Sequence, residues 1–351
     1  MNETNITPRQ KFILNLISQS NGRVREEIQE KVKVSYKISK PTLIRDLGKL
    51  IAEKLVRVKG KGKNTKYFPY SENPLLVPLD IDQYFLVEPD RRTNAKKSFD
   101  FSVFGQLKDL FSPFEIKSIE SVRKSFIRQT QNLKPDILKK ELERFVIELS
   151  WKSSKIEGNT YTLLETESLI LESKEARGHS KEEAIMILNH KVAFEQILKN
   201  KRSFKFISIS LINQLHNIMI KNLNITPGVR RQAVGITGTT YQPLDNEHQI
   251  REVMEKLITS INKNPRPLEK ALIASSMISY IQPYADGNKL IGRMLTNAIL
   301  LAHDFYPLSY RSIDEEEFKK ALILFYEQLS IYYLKRLFIE QLTFAFNTYF
   351  R

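Results

Sequence analysis

Apolar positions recur at helical spacing over most of the chain. In segment 8–18 (PRQKFILNLIS) Phe12, Ile13, Leu16 and Ile17 fall at i, i+1, i+4 and i+5, which predicts a helix with one buried stripe. Segment 24–32 predicts a second short helix, with Val24, Ile28 and Val32 on one side. A third begins near Ser39, a suitable N-cap, with Pro41 tolerated in the first turn and Leu43, Leu47, Leu50 and Ile51 on one face. Thr42, Arg45 and Lys49 are left on the rest of its surface. RVKGKGKNTKYFPY then reads as a Gly-punctuated basic hairpin.

The stretch SENPLLVPLDIDQYFLVEPDRRTNAKKSFDF has no clear periodicity and predicts an extended connector. The expected organisation is therefore a small N-terminal domain over 1–75, a connector over 76–103 and a helical domain over 104–351. In the helix expected over 136–157, Leu138, Leu142, Phe145, Val146, Leu149 and Ile156 recur at three and four spacings, and Gly158-Asn159 supplies a left-handed stop. Further helices are expected over 160–173, 181–198, 208–222, 247–262, 268–281, 288–302 and 312–327, the last opening with a capping box from Ser312 to Glu315. The run 230–243 (RRQAVGITGTTYQP) is β-prone and turn-punctuated, so a small β-hairpin is expected on a mainly α body.

Composition narrows the function classes. The 351 residues include no cysteine, which excludes disulfides and thiolate metal sites. No run approaches the ~18 apolar residues of a membrane span, and the N-terminus lacks an apolar signal core, so a cytoplasmic protein without a membrane partner is expected. The formal charge of +15 is unevenly placed: residues 1–70 hold 16 Lys and Arg against 6 Asp and Glu, leaving 39 and 34 for the remaining 281. Such asymmetry fits either a polyanion-binding module or a basic solvated surface.

Three short helices followed by a basic hairpin resemble the winged helix-turn-helix family, and TLIRDLGKLIAEKLVRVKGKGKNTKYF carries the resemblance. It implies DNA as partner, with Thr42, Arg45 and Lys49 facing the major groove and Lys59, Lys61, Lys63 and Lys66 touching the phosphate backbone. Members of that family also serve as docking or dimerisation modules, so a homodimer is a second reading, although no segment identifies an interface.

Candidate chemistry concentrates in IQPYADGNKLIGR, residues 281–293. Pro283 closes one helix and Asp286-Gly287-Asn288 leads into the next, whose free N–H groups form an anion site. Asp286 is placed to hold Mg²⁺ beside phosphates, and Arg293 can return a guanidinium to the same anion. A bland interhelical turn fits these residues too. Upstream, SSKIEGN puts Ser153 and Glu157 four apart at a helix C-terminus, where the macrodipole disfavours a carboxylate and a cationic partner is needed. The segment PGVRRQAVGITGTTYQP offers an edge for an extended peptide.

Together these three features resemble the Fic family, whose helical domain transfers AMP from ATP to protein hydroxyls. Its signature is His-Pro-Phe-x-Asp/Glu-Gly-Asn-Gly/Lys-Arg-x-x-Arg. Pro283, Asp286, Gly287, Asn288, Lys289 and Arg293 match it. Ser153, Glu157, Gly158 and Asn159 match the family's inhibitory Ser/Thr-x-x-x-Glu-Gly/Asn helix, and 227–243, with Ile236, Thr237, Gly238 and Tyr241, looks like its target-docking flap. The resemblance implies ATP and Mg²⁺ as ligands, Asp286 on the metal, Gly287, Asn288 and Lys289 at the phosphates, Arg293 on the outer phosphate, and Glu157 blocking that pose by pairing with Arg293. The protein target stays open. Two departures matter: Gln282 replaces the catalytic His and Leu290 the first Arg, and an amide takes up no proton near neutral pH. The reading is a regulator with a degenerate AMP-transferase site coupled to DNA binding. A working adenylyltransferase inhibited by Glu157 and a purely structural ion pair are the alternatives.

Overall fold

The computed structural model describes residues 6–18 and 22–350, apart from the Ser18, Lys63 and Phe114 side chains. The N-terminal unit contains α1 (Pro8–Ser18), α2 (Arg25–Lys33) and α3 (Lys40–Ala52), with strands β1 (Arg23–Val24), β2 (Val56–Lys59) and β3 (Lys66–Pro69). Ser39 caps α3 by accepting from the Thr42 N–H at 3.4 Å, with Pro41 in the first turn. Its apolar face buries Leu43, Leu47 and Leu50 against Ile13, Ile17, Ile28, Val32 and Val56. The basic hairpin forms as expected: β2 and β3 pair antiparallel from Val56↔Pro69 to Lys59↔Lys66, and β1 adds to the other side of β3 in the order β1-β3-β2. Periodicity did not reveal that Asp46 of α3 is buried and accepts from Arg9 Nε at 2.6 Å and Gln10 Nε2 at 2.9 Å, tying α1 to α3.

The helical body follows with α4 (Ile81–Phe85), α5 (Pro113–Asn132), α6 (Pro135–Ile156), α7 (Leu163–Glu172), α8 (Lys181–Lys199), α9 (Ile209–Met219), α10 (Glu247–Lys263), α11 (Pro267–Ile281), α12 (Asn288–Ala302), α13 (Glu315–Gln328) and α14 (Tyr332–Thr348). Paired capping boxes start α5, α7 and α8, from Ser112/Glu115, Thr162/Glu165 and Ser180/Glu183. α11 and α12 pack closely on each other at the centre. Nearly every residue of both is buried, polar ones such as Glu269, Ser276, Thr296 and Asn297 included, so both helices are enclosed on every side. Gly292 permits their approach, since a Cβ there would stand 3.1 Å from the Ser275 carbonyl oxygen.

Three expectations are corrected. The 76–103 stretch is not simply an extended connector: it contains α4, Leu76, Ile81 and Phe99 lie in the same core as the helical body, and the Val77 carbonyl accepts from the Ser330 hydroxyl at 2.7 Å, as the Leu75 carbonyl just before the stretch accepts from the Ile331 N–H at 2.7 Å. The α13 cap is Asp314, accepting from the Glu317 N–H at 2.9 Å, whereas Ser312 accepts from Gln341 Nε2 instead. Segment 230–243 contains no strand; one isolated parallel bridge joins Gln242 to Ser98. Its backbone groups find partners other than a facing strand: Arg92 donates to the Gly238 carbonyl at 3.0 Å and the Gln242 N–H donates to the Lys97 carbonyl at 3.0 Å, both outside the segment, while Arg230 at its start donates to the Gln232 carbonyl at 2.7 Å.

Candidate active site at the turn between two buried helices

The turn begins where α11 stops. Gln282 sits left-handed at φ 51°, and Pro283 follows, which cannot continue a helix. Buried Arg230 braces the exit, donating from Nε to the Gln282 carbonyl at 2.6 Å, while its own N–H donates to the Pro283 carbonyl at 3.0 Å. Inside the turn two side-chain amides close on each other. Gln282 Nε2 donates to the Ser279 carbonyl at 2.7 Å and Gln282 Oε1 accepts from Asn288 Nδ2 at 2.9 Å. Asn288 also exchanges bonds with the Tyr284 backbone, accepting its N–H at 2.9 Å and donating to its carbonyl at 2.8 Å. The Asn288 side chain is thus spent on shaping the turn. Gln282 is likewise a brace.

Gly287, at φ 81°, is the N-cap of α12, and its N–H donates to Asp286 Oδ1 at 2.6 Å. The Asp286 side chain is exposed. Lys289 is half-exposed in the first turn of α12, and Leu290 is buried in the core where the signature has an arginine.

Arg293 is 1% exposed, and its neighbours come from the far end of α6. Nε donates to Ser153 Oγ, and Nη2 donates to the Ser153 carbonyl and to Glu157 Oε1, all at 2.9 Å. Lys289 Nζ pairs with the other Glu157 oxygen at 2.7 Å. Burial acts to raise the Glu157 carboxyl, but Arg293 and Lys289 outweigh it and hold it below the usual carboxylate range. One guanidinium nitrogen, Nη1 of Arg293, is buried with no hydrogen-bond partner. Of the other inhibitory-motif residues, Gly158 makes the left-handed stop at φ 100°, and Asn159 bonds the Glu183 carbonyl at 2.9 Å and the Tyr161 N–H at 3.0 Å.

Two histidines to which the sequence assigns no role complete the surroundings. His216 stacks on Tyr284 with centroids 3.7 Å apart, and its Nε2 bonds the Asp286 carbonyl at 3.0 Å. His190 bonds Ser153 Oγ through Nε2 at 2.8 Å. Both are fully buried, so neither stands in the open for the proton-accepting role that Gln282 lacks. Their signal was position on an apolar face: His190 follows Ile187 by three and precedes Ala193 by three.

Among the flap residues, Thr237 and Gly238 are exposed and Ile236 is half-buried on the core. Tyr241 is buried, its hydroxyl donating to the Tyr280 carbonyl at 2.8 Å, which removes it from any docking edge. In the N-terminal unit Arg45 and Lys49 are exposed on α3, Lys61 is exposed in the hairpin, and half-buried Thr42 bonds Ser39 Oγ at 2.8 Å. Lys63 has its side chain outside the described residues. Lys66 pairs with Asp80 at 3.4 Å rather than standing free for a phosphate.

Residues 206–300 match the family model described as Fic/DOC family. Over this span the chain is similar to the Fic/DOC family. The matched span holds the 282–293 turn and segment 227–243 and begins after Glu157. A protein named protein adenylyltransferase Fic from Nematostella vectensis is 25% identical over 199 residues, 53% of this chain and 44% of that one. Protein adenylyltransferase fic-1 of Caenorhabditis elegans is 23% identical over 44% of this chain and 31% of its own length, so the chain spans less than half of either relative. In fold, a Fic domain containing signaling protein from Bacteroides thetaiotaomicron superposes with a TM-score of 0.55 at 24% identity, over 66% of this chain and 96% of that one. A Fic family protein from Desulfovibrio desulfuricans superposes with a TM-score of 0.55 at 22% identity, over 68% and 74%. At these identities the likeness is one of fold. Among the described residues no helix is long and apolar enough to cross a membrane.

Proposed function

We propose that this chain is a Fic-domain regulator in which a nucleotide site, closed by Glu157 and stripped of its proton acceptor, is coupled to a DNA-binding winged helix. The observation that carries the reading is the hold on Arg293: a buried guanidinium bonded to Ser153 and Glu157, with Lys289 on the other Glu157 oxygen. With Glu157 withdrawn, Arg293, Lys289 and the N-terminus of α12 would face a polyphosphate, and exposed Asp286 fits one carboxylate of a Mg²⁺ site. Bound there, Mg²⁺ would neutralise phosphate charge. Gln282 orders the turn and moves no proton, because both ends of its amide are engaged within it.

Calorimetric titration tests this reading. Mg-ATP is expected to bind the Glu157→Gly variant roughly 10- to 100-fold more tightly than the unaltered chain, the span of an ordinary coupling free energy. No binding by either protein, with the variant folded, would remove the nucleotide from the account.

DNA binding is supported by the exposed Arg45, Lys49 and Lys61 on α3 and the adjoining hairpin. Lys61→Ala is expected to weaken binding to any duplex and to reduce the slope of log affinity against log salt by about 1, as for one lost phosphate contact. An unchanged slope would take Lys61 off the DNA.

A further inference from the structure

The hydrogen bonds around Ser153 leave only one arrangement of protons. Arg293 Nε carries a hydrogen in every state, so Ser153 Oγ is the acceptor of that 2.9 Å bond. At the other end, His190 Nδ1 lies 2.8 Å from the Met186 carbonyl, which can only accept, so Nδ1 carries a proton. Ser154 Oγ stands farther off, 3.3 Å from the same nitrogen. Between these ends, Ser153 Oγ and His190 Nε2 are 2.8 Å apart, and one proton joins them. It belongs to the serine: a second proton on the ring would put a cation into a fully enclosed site beside Arg293. Burial first, and Arg293 with it, push His190 down to about 4, in keeping with a neutral ring.

We propose that His190 is a positioning residue for Arg293: by taking the Ser153 hydroxyl proton on Nε2 it turns a serine lone pair onto the guanidinium. Resting on the inhibitory reading of Glu157 and Arg293, this makes α8 part of the lock and adds a residue to the switch that lies outside the Ser153–Asn159 motif. Replacing His190 by a residue with no acceptor frees the serine hydroxyl to rotate, and Arg293 loses one of its three fixed bonds.

The first readout is nitrogen NMR of the full-length, unaltered protein. His190 is expected to show a protonated Nδ1 and an unprotonated, hydrogen-bonded Nε2, with the Nε2 resonance moving in Ser153→Ala; a ring protonated on Nε2 would overturn the proposal whether or not any nucleotide binds. The second is a double-mutant cycle read as Mg-ATP affinity. His190→Phe and Ser153→Ala are each expected to tighten binding about tenfold, the scale of one hydrogen bond to a charged group, and the double variant to gain no more than either. His190→Gln, which keeps an acceptor, is expected to stay near the unaltered chain. Additive gains in the double variant would show that His190 acts by another route and would overturn the proposal. If even Glu157→Gly fails to bind Mg-ATP, the functional reading falls, and the ring's protonation pattern alone decides the role of His190.

Discussion

Adding Gln282→His and Leu290→Arg to a Glu157→Gly chain is expected to raise AMP transfer from ATP by ~10²–10⁴ over Glu157→Gly alone, the usual worth of a positioned base. The backbone is ready for the first change: position 282 is left-handed at φ 51°, a conformation that histidine adopts more readily than most side chains. The turn should survive it, because Asn288 keeps both bonds to Tyr284 when it loses Gln282 Oε1. Leu290 is harder to replace, since it is 4% exposed in the core and an arginine there must thread its charge out to solvent. The second charge is therefore expected to add less than the ~10²–10³ that an electrostatic donor can supply. The assay follows label from α-labelled ATP into protein acceptors of a cell extract, with pyrophosphate release in parallel. A triple variant that binds Mg-ATP yet transfers no faster would mean that more than the base has been lost.

Removing the carboxylate of Glu327 is expected to cost ~3–5 kcal/mol of stability, as for one partner of a buried ion pair. Glu327 is wholly enclosed, and Arg92 donates to both of its oxygens at 3.2 Å. Tyr84 donates to Oε2 at 2.6 Å and Thr239 to Oε1 at 2.5 Å. The Glu327 carbonyl in turn accepts from the Lys96 N–H at 2.8 Å. One residue at the end of α13 therefore holds the 84–96 stretch that leads from the N-terminal unit together with the segment that leads to the candidate site. Glu327→Ala strands Arg92 in the core without a counter-charge. Urea unfolding should show the loss, and amide exchange should accelerate over 84–98 and 236–243 before it does elsewhere. A loss under ~1 kcal/mol, with exchange unchanged in both segments, would show that the cluster is not what pins them.

Local signals in the chain account for much of this protein. Ser39 and Pro41 mark the start of α3, its apolar stripe marks the face that is buried, and the glycines of the basic run mark the hairpin, because each is an interaction among near neighbours that the backbone makes wherever it goes. The same holds for the stop at Gly158 and the turn at Gly287. The anion turn and the Ser153/Glu157 helix were legible as motifs, but the pairing of Glu157 with Arg293, 136 positions away, came only from family resemblance until the fold brought α6 to α12. Segment 230–243 reads as a hairpin because its residues favour strands, and that preference loses to Arg92 and Lys97, which bond its backbone from another part of the chain. His190, His216 and Glu327 looked like ordinary members of helical patterns. Periodicity reports which face is covered and says nothing of what covers it, so the roles of these buried polar groups were decided by tertiary structure, where each had to find a partner from a distant segment or be left unsatisfied in the core.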